Sequence, residues 1–364
     1  MCRDELIRTV ANLDNLLFIF GLCCQPKTKS ISTKVFLLCL RVLNVSNIVY
    51  LGYSSLSVIN RSNYSQHVQL LSYFTATYAS QVIFARRHTR FDDILQRLKC
   101  VIGDDNKRKL KTFARRLILA WMCLVSIDTV HGLLYSLRRV KVGFTASFAQ
   151  KLFVALYHVL SKRLFLSGWL IILLCIYSII VFGIHLSQEN FFRQFFISKY
   201  AALPELYSLW FEIIKIKNDF EGAFSFYPVV WIFNLFGRTA AYVFMHTRSA
   251  NAGKLTKMYL TTVFWSYFTA ETFLLIGLLS LIQYTNSCSR TNYIELKVKL
   301  LKFNNRFIDE KYEVLLEEIH ITRELQLTAW GVCRLSKGLL LAFLSNLVSF
   351  AVLFDQLLSY TAKM

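Results

Sequence analysis

Proline occurs only three times and glycine thirteen times in the 364 residues, and charged side chains make up 18% of the chain. So few breakers leave little room for linkers, low-complexity segments or a turn-rich β architecture. No internal repeat is present, and repeats with Gly/Pro-broken spans would be the mark of a transporter. The nine cysteines are scattered and form no C-x-x-C pair, which argues against a disulfide framework or a zinc site and leaves free thiols. The seven histidines fall in no H-E-x-x-H cluster, and neither G-x-x-x-x-G-K-[ST] nor G-x-S-x-G occurs. Without these, and without carboxylates at a catalytic spacing, nothing supports an enzyme, a metal centre or another cofactor.

What the chain does have is apolar length. Hydrophobic residues account for 55% and aromatic residues for 15%, against about 45–50% apolar and about 25% charged residues in a soluble domain. Seven apolar stretches, near Val35–Val58, Gln66–Phe84, Leu117–Leu137, Leu164–Leu186, Gly222–Met245, Tyr259–Gln283 and Gly338–Leu358, approach the roughly 20 residues that a bilayer core requires. The patch Phe144–Leu160, broken by Gln150, Lys151 and His158, is left outside the membrane. The expected fold class is an all-α membrane protein with seven transmembrane helices.

The formal charge of +20 does not imply nucleic acid, because Lys and Arg collect in loops between the apolar runs. One alternate set of connections (1–34, 85–116, 187–221, 284–337) holds 29 basic residues and the other set 11; segment 85–116 alone holds 11. The positive-inside rule therefore places the N-terminus in the cytoplasm and the C-terminus outside. Two sequons, at Asn60 and Asn63, fall in the first external loop and are possible glycosylation sites. The expected division is a cytoplasmic N-terminal segment 1–34, a six-helix ligand-binding bundle 35–283, a cytoplasmic helical anchor 284–337, and a seventh helix with a short external tail, 338–364.

Charges inside membrane spans cost about 2.5–3.5 kcal/mol each and call for an explanation. Asp128 and His131 share a face of the third span, Arg238 lies on the fifth and Glu271 on the sixth. They can pair between helices. They can also line a hydrated small-molecule pocket in the outer bundle, with Tyr73, Tyr78, Trp169, Tyr242 and Trp265 as its aromatic walls. In the anchor, Val298, Leu301, Asn305, Ile308, Tyr312, Leu315 and Ile319 repeat at 3-4 spacing. That heptad seam fits either packing within the subunit or a contact between subunits.

The C-terminal stretch carries a pattern. Ser349-Phe350, five residues, then Gln356-Leu357 resembles the Thr-Tyr, five apolar residues, Gln-Phe ending of insect gustatory receptors. Ala329-Trp330-Gly331 with Leu335, followed by Leu339-Leu340, resembles the small-x-Gly-x-x-x-Leu and Leu-Leu positions ahead of that family's last span, and Asn218-Asp219-Phe220 resembles an element before its fifth. Ser349-Phe350 in place of Thr-Tyr, Leu357 in place of Phe, and Asp355 within the apolar gap depart from the family pattern. The resemblance implies a tetrameric, ligand-gated cation channel with the last helix of each subunit around one pore. Gln356 and Leu357 then take the gate positions, joined by Leu353 and Asp355. A leucine ring gates by dewetting, and a glutamine ring offers hydrogen bonds to partly hydrated ions. It also implies a small-molecule tastant, permeating cations, lipid contact, homotetramers or co-assembly with other gustatory receptors, and the plasma membrane of sensory neurons. The rival is a metabotropic seven-helix receptor using loop 85–116 as a docking surface, against which the inverted topology counts.

Overall fold

The computed structural model describes residues 93–139, 169–197, 203–232, 272–288 and the stretch around 327–335, with individual positions in 77–91, 234–237, 269, 291–317 and 338–356. Within these residues the chain is helical, apart from one ladder of two residues per strand. We name α1 (Asp104–Arg139), α2 (Trp169–Ile197) and α3 (Leu203–Phe224), α4 (Thr272–Cys288), and strands β1 (Thr328–Ala329) and β2 (Cys333–Arg334).

The core forms around α2, whose sequence is apolar on every side and therefore has to be covered all round. It is: 94% of its most apolar window is buried inside the protein. α1 runs antiparallel to α2. Cys175 Sγ lies 3.9 Å from the Leu117 carbonyl oxygen, Phe113 and Phe182 meet at 4.4 Å with tilted rings, and Lys109 pairs with Glu189 at 3.1 Å. α3 runs back along α2 in turn, through Tyr177–Phe220 at 4.7 Å and Phe191–Trp210 at 4.8 Å. Such aromatic pairs add about 0.5–1.5 kcal/mol each beyond their area.

Two small details set the closest approaches. At Gly183 an added Cβ would meet Leu98 Cδ2 at 2.2 Å, so the missing side chain lets the helix of 93–101 lie against α2. The turn that follows is held by amides of α1 and α2. Asn190 Nδ2 donates to the Val101 carbonyl at 3.0 Å, and Asn106 Nδ2 to the Leu186 carbonyl at 3.1 Å. The Val101 carbonyl, at a helix end, would otherwise be an orphan, and the Asn106 amide ties the start of α1 to the middle of α2. The first turn of α1 carries Asp104 and Asp105, the sign its helix dipole favours. Lys107 bonds Asp104 at 2.7 Å and holds that carboxyl below its usual range.

One consequence concerns the membrane boundary. Phe182, His185 and Leu186 belong to the apolar stretch read as a span, whereas Phe113, Lys109 and Asn106 belong to the basic segment read as cytoplasmic. The contacts place the two sets at one level, so the lower half of α2 is covered by protein. Above it, α1 exposes Leu119, Met122, Ile127 and Val130, a face suited to lipid. The anchor also differs from a continuous helix: it ends in the β1–β2 hairpin, with Thr328 opposite Arg334 and Ala329 opposite Cys333.

Candidate gate and its linkage to the bundle

The described positions of the last helix are Gly338, Leu339, Leu341, Ala342, Ser345, Asn346, Ser349, Val352, Leu353 and Gln356; all but the half-buried Leu339 are exposed in the single chain. At about 100° per residue the exposed ones share one face. Ala342, Ser345, Ser349 and Gln356 fall within about 40° of a single line along the helix. Large apolar side chains flank that line: Leu341 is 67% exposed, Val352 51% and Leu353 59%. A stripe of small and hydroxyl groups ending at an amide, with apolar shoulders, suits water on the midline and helix packing at the flanks. Asp355, Leu357, Phe350 and Gly331 lie outside the described residues.

The hairpin ties this helix to the bundle. Leu327 and Leu335 bracket it, both buried, with the Leu335 amide donating to the Leu327 carbonyl at 2.9 Å. The Thr328 amide and hydroxyl both donate to Glu221 Oε1, at 3.1 and 2.5 Å. Glu221 sits in the last turn of α3. One turn earlier, burial pushes the Lys217 ammonium down while Glu221 opposes that shift. On the same turn Arg87, from the basic segment that follows the second predicted span, donates to the Gly222 carbonyl at 3.0 Å and to the Ala223 carbonyl. Three regions distant in sequence thus meet on one helix end, where carbonyls lack partners of their own. Glu221→Leu is expected to destabilise the fold by about 2 kcal/mol, the value of hydrogen bonds to a charged acceptor. Glu221→Gln, which keeps an acceptor, is expected to lose less than half of that. Thermal unfolding of both variants in detergent checks the ranking.

Of the residues proposed for the ligand pocket, Trp169 is fully buried. Its indole Nε1 donates to Ser80 Oγ at 2.9 Å, and its ring packs edge-on to Phe84 at 5.5 Å. Asp128 and His131 lie one turn apart on α1. Tyr73, Tyr78, Arg238, Tyr242, Trp265 and Glu271 lie outside the described residues, as do Asn60 and Asn63. Of the heptad seam, Val298 is helical and 43% exposed; Leu301, Asn305, Ile308, Tyr312, Leu315 and Ile319 are outside the described residues. A small cavity of about 20 Å³ between α2, α4 and the continuation of α3 is lined by Leu170, Leu174, Trp231, Asn234 and Leu275. That is room for a single water.

No protein-family profile and no curated sequence matches the chain. Its three-dimensional likeness is to solved structures. The insect olfactory receptor OR5 from Machilis hrabei superposes with a TM-score of 0.74 over 97% of this chain and 99% of that one, at 12% identity. The chain has the insect olfactory receptor fold. The same receptor in complex with eugenol superposes equally well, with a TM-score of 0.74. The expected fold therefore stands, reached through an olfactory receptor structure rather than the gustatory receptors that the C-terminal motif resembles. Sequence reasoning missed the Glu221–Thr328 link, for which the one available signal was an acidic residue closing a helix ahead of a span.

Proposed function

We propose that the chain is a chemoreceptor that acts as a ligand-gated, non-selective cation channel in the plasma membrane of a sensory neuron. Four copies surround one pore lined by the last helix, with its gate at Leu353 to Leu357. The single observation that carries this reading is the exposed stripe Ala342–Ser345–Ser349–Gln356. A helix facing only lipid has no use for hydroxyl and amide groups in a row, because each costs free energy in hydrocarbon. The pore reading gives every one of them water. In this account a small molecule binds among the polar and aromatic residues of the outer bundle. It acts through the difference in its affinity for the closed and open states, and the hairpin on Glu221 carries the change to the last helix.

The olfactory receptor fold and the gustatory-type tail together leave two ligand classes in play, volatile aromatics such as eugenol and non-volatile tastants. The test is a whole-cell recording from cells expressing this chain, with a panel of eugenol, sugars and bitter compounds and with G-protein signalling blocked. A ligand-evoked cation current that survives the block, and that Gln356→Ala alters in open probability or block, is the expected result. A response abolished by the block would replace the channel with the metabotropic receptor.

A further inference from the structure

The outward face of α1 changes character once along its length. Arg108, Lys111, Arg115, Leu119 and Met122 fall within about 40° of a single line down the helix, at about 100° per residue. Lys111 is half-buried and the other four are exposed; Arg116, also exposed, flanks the line. From Arg108 to Arg116 every charged side chain is basic. From Leu119 through Met122, Ile127 and Val130 the exposed large side chains are apolar. The acids nearest the stripe are already engaged, Asp104 by Lys107 at 2.7 Å and Asp105 by Arg193 at 3.3 Å. Lys109 is held by Glu189 at 3.1 Å. Among the described residues, no carboxylate pairs with Arg115 or Arg116.

Basic residues on this side of the membrane follow from topology, but topology does not choose a face. Here the cations continue the line of the lipid-facing side chains. Leu119 stands about 6 Å above Arg115 along the helix axis, and a headgroup layer is about 5–7 Å thick on each side of a bilayer. With Leu119 at the edge of the hydrocarbon, Arg115 and Arg116 lie among the headgroups, and Lys111 and Arg108 lie one and two turns farther into the cytoplasm. Side chains on a helix lean toward its N-terminus, so both guanidinium groups lean out of the hydrocarbon.

We propose that this face of α1 binds an anionic phospholipid of the cytoplasmic leaflet. Arg115 and Arg116 hold the headgroup phosphates, Lys111 and Arg108 extend the positive field, and the acyl chains lie along Leu119 and Met122. Arginine suits a phosphate because its planar fork donates two parallel hydrogen bonds. A zwitterionic lipid brings a cation of its own into the basic patch and gains less. An acidic protein would use the charges and leave the apolar half of the face unused. One phospholipid covers both halves. The proposal rests on the reading of α1 as a membrane span and not on the channel, because it concerns binding and not current.

The experiment measures binding of dioctanoyl phosphatidylinositol bisphosphate to the purified full-length protein in neutral detergent, with dioctanoyl phosphatidylcholine as the control. The wild type is expected to bind the anionic lipid at least about tenfold more tightly than the control. Each basic residue at the surface contributes roughly fivefold, so Arg115→Gln combined with Arg116→Gln is expected to weaken binding about thirtyfold. Arg115→Lys combined with Arg116→Lys keeps the charge, loses the fork and is expected to lose only about threefold. Lys215→Gln, which removes an exposed cation from α3, is expected to stay within about twofold of wild type. Free inositol trisphosphate carries the charge without the chains and is expected to bind at least about tenfold more weakly than the lipid. Equal affinity for the two lipids, or unchanged affinity in the double glutamine variant, overturns the proposal. A free headgroup that binds as tightly as the lipid also overturns it, leaving a site for soluble phosphates. None of these results removes the span reading if the protein still requires detergent to stay in solution.

Discussion

Cells expressing Ser349→Lys at wild-type surface density are expected to carry less than about one-hundredth of the ligand-evoked cation current. In the proposed pore this substitution places four ammonium groups around the axis. At roughly 8 Å and an effective dielectric constant near 20, each repels a permeating cation by about 2 kcal/mol. The four together raise the barrier by about 8 kcal/mol, and salt in the pore screens part of it. Even half of that sum exceeds the ~2.8 kcal/mol that a hundredfold loss requires. Ser349→Ala, which removes a hydroxyl and adds no charge, is expected to leave current within about threefold of wild type, since the hydroxyl at this position is one of several on the stripe. The measurement is current normalised to biotinylated surface protein. A Ser349→Lys channel that reaches the surface and conducts normally would turn this face away from the pore, and Gln356 with it.

The same helix shows how far the sequence alone could be read. Hydropathy located it, and the five-residue gap between Phe350 and Gln356 gave it its resemblance to a family pattern. Those signals are local, and periodicity on a single helix survives in the sequence without knowledge of its neighbours. The reading of α2 was less complete for a physical reason. Lipid and protein are equally good apolar surroundings, so a run such as Trp169 to Leu186 has the same hydropathy in a bilayer and inside a cytoplasmic core. Only the contacts of Phe182 with Phe113 and of Glu189 with Lys109 separate the two. The hairpin was hidden differently. Residues 329–335 drew attention as a motif, whereas the pairing of Ala329 with Cys333 depends on Leu327 and Leu335 being buried by the bundle. The amides of Asn106 and Asn190 were invisible for the same reason, because each reaches a carbonyl more than 79 residues away.

Arg97→Met is expected to lower the thermal midpoint by about 3 °C in detergent, a larger stability effect than that of a typical surface charge. Arg97 lies in the segment before α1, and three carboxylates from two helices converge on it: Asp93 at 2.8 Å, Asp219 at 2.5 Å and Glu212 at 3.6 Å. The guanidinium is 19% exposed and the acids 34–62%. Breaking a fully buried pair costs about 3–5 kcal/mol, and this degree of exposure reduces the figure to about 2 kcal/mol. Most of that cost comes from the acids left behind, which repel one another once the shared cation is gone. Two consequences distinguish this account from simple loss of packing. Asp219→Asn added to Arg97→Met is expected to recover part of the lost midpoint, because it removes one of the repelling charges. The arginine itself adds no pH dependence across the physiological range. Burial lowers its pKa, but the hydrogen bond to Asp219 and the three acids outweigh that and raise it above its ordinary value. A raised basic pKa contributes fully below the unfolded value and is lost only as pH rises through the folded one. A double variant no more stable than Arg97→Met would show that the repulsion among Asp93, Glu212 and Asp219 is already relieved by solvent, leaving the guanidinium stem's packing as the source of the loss.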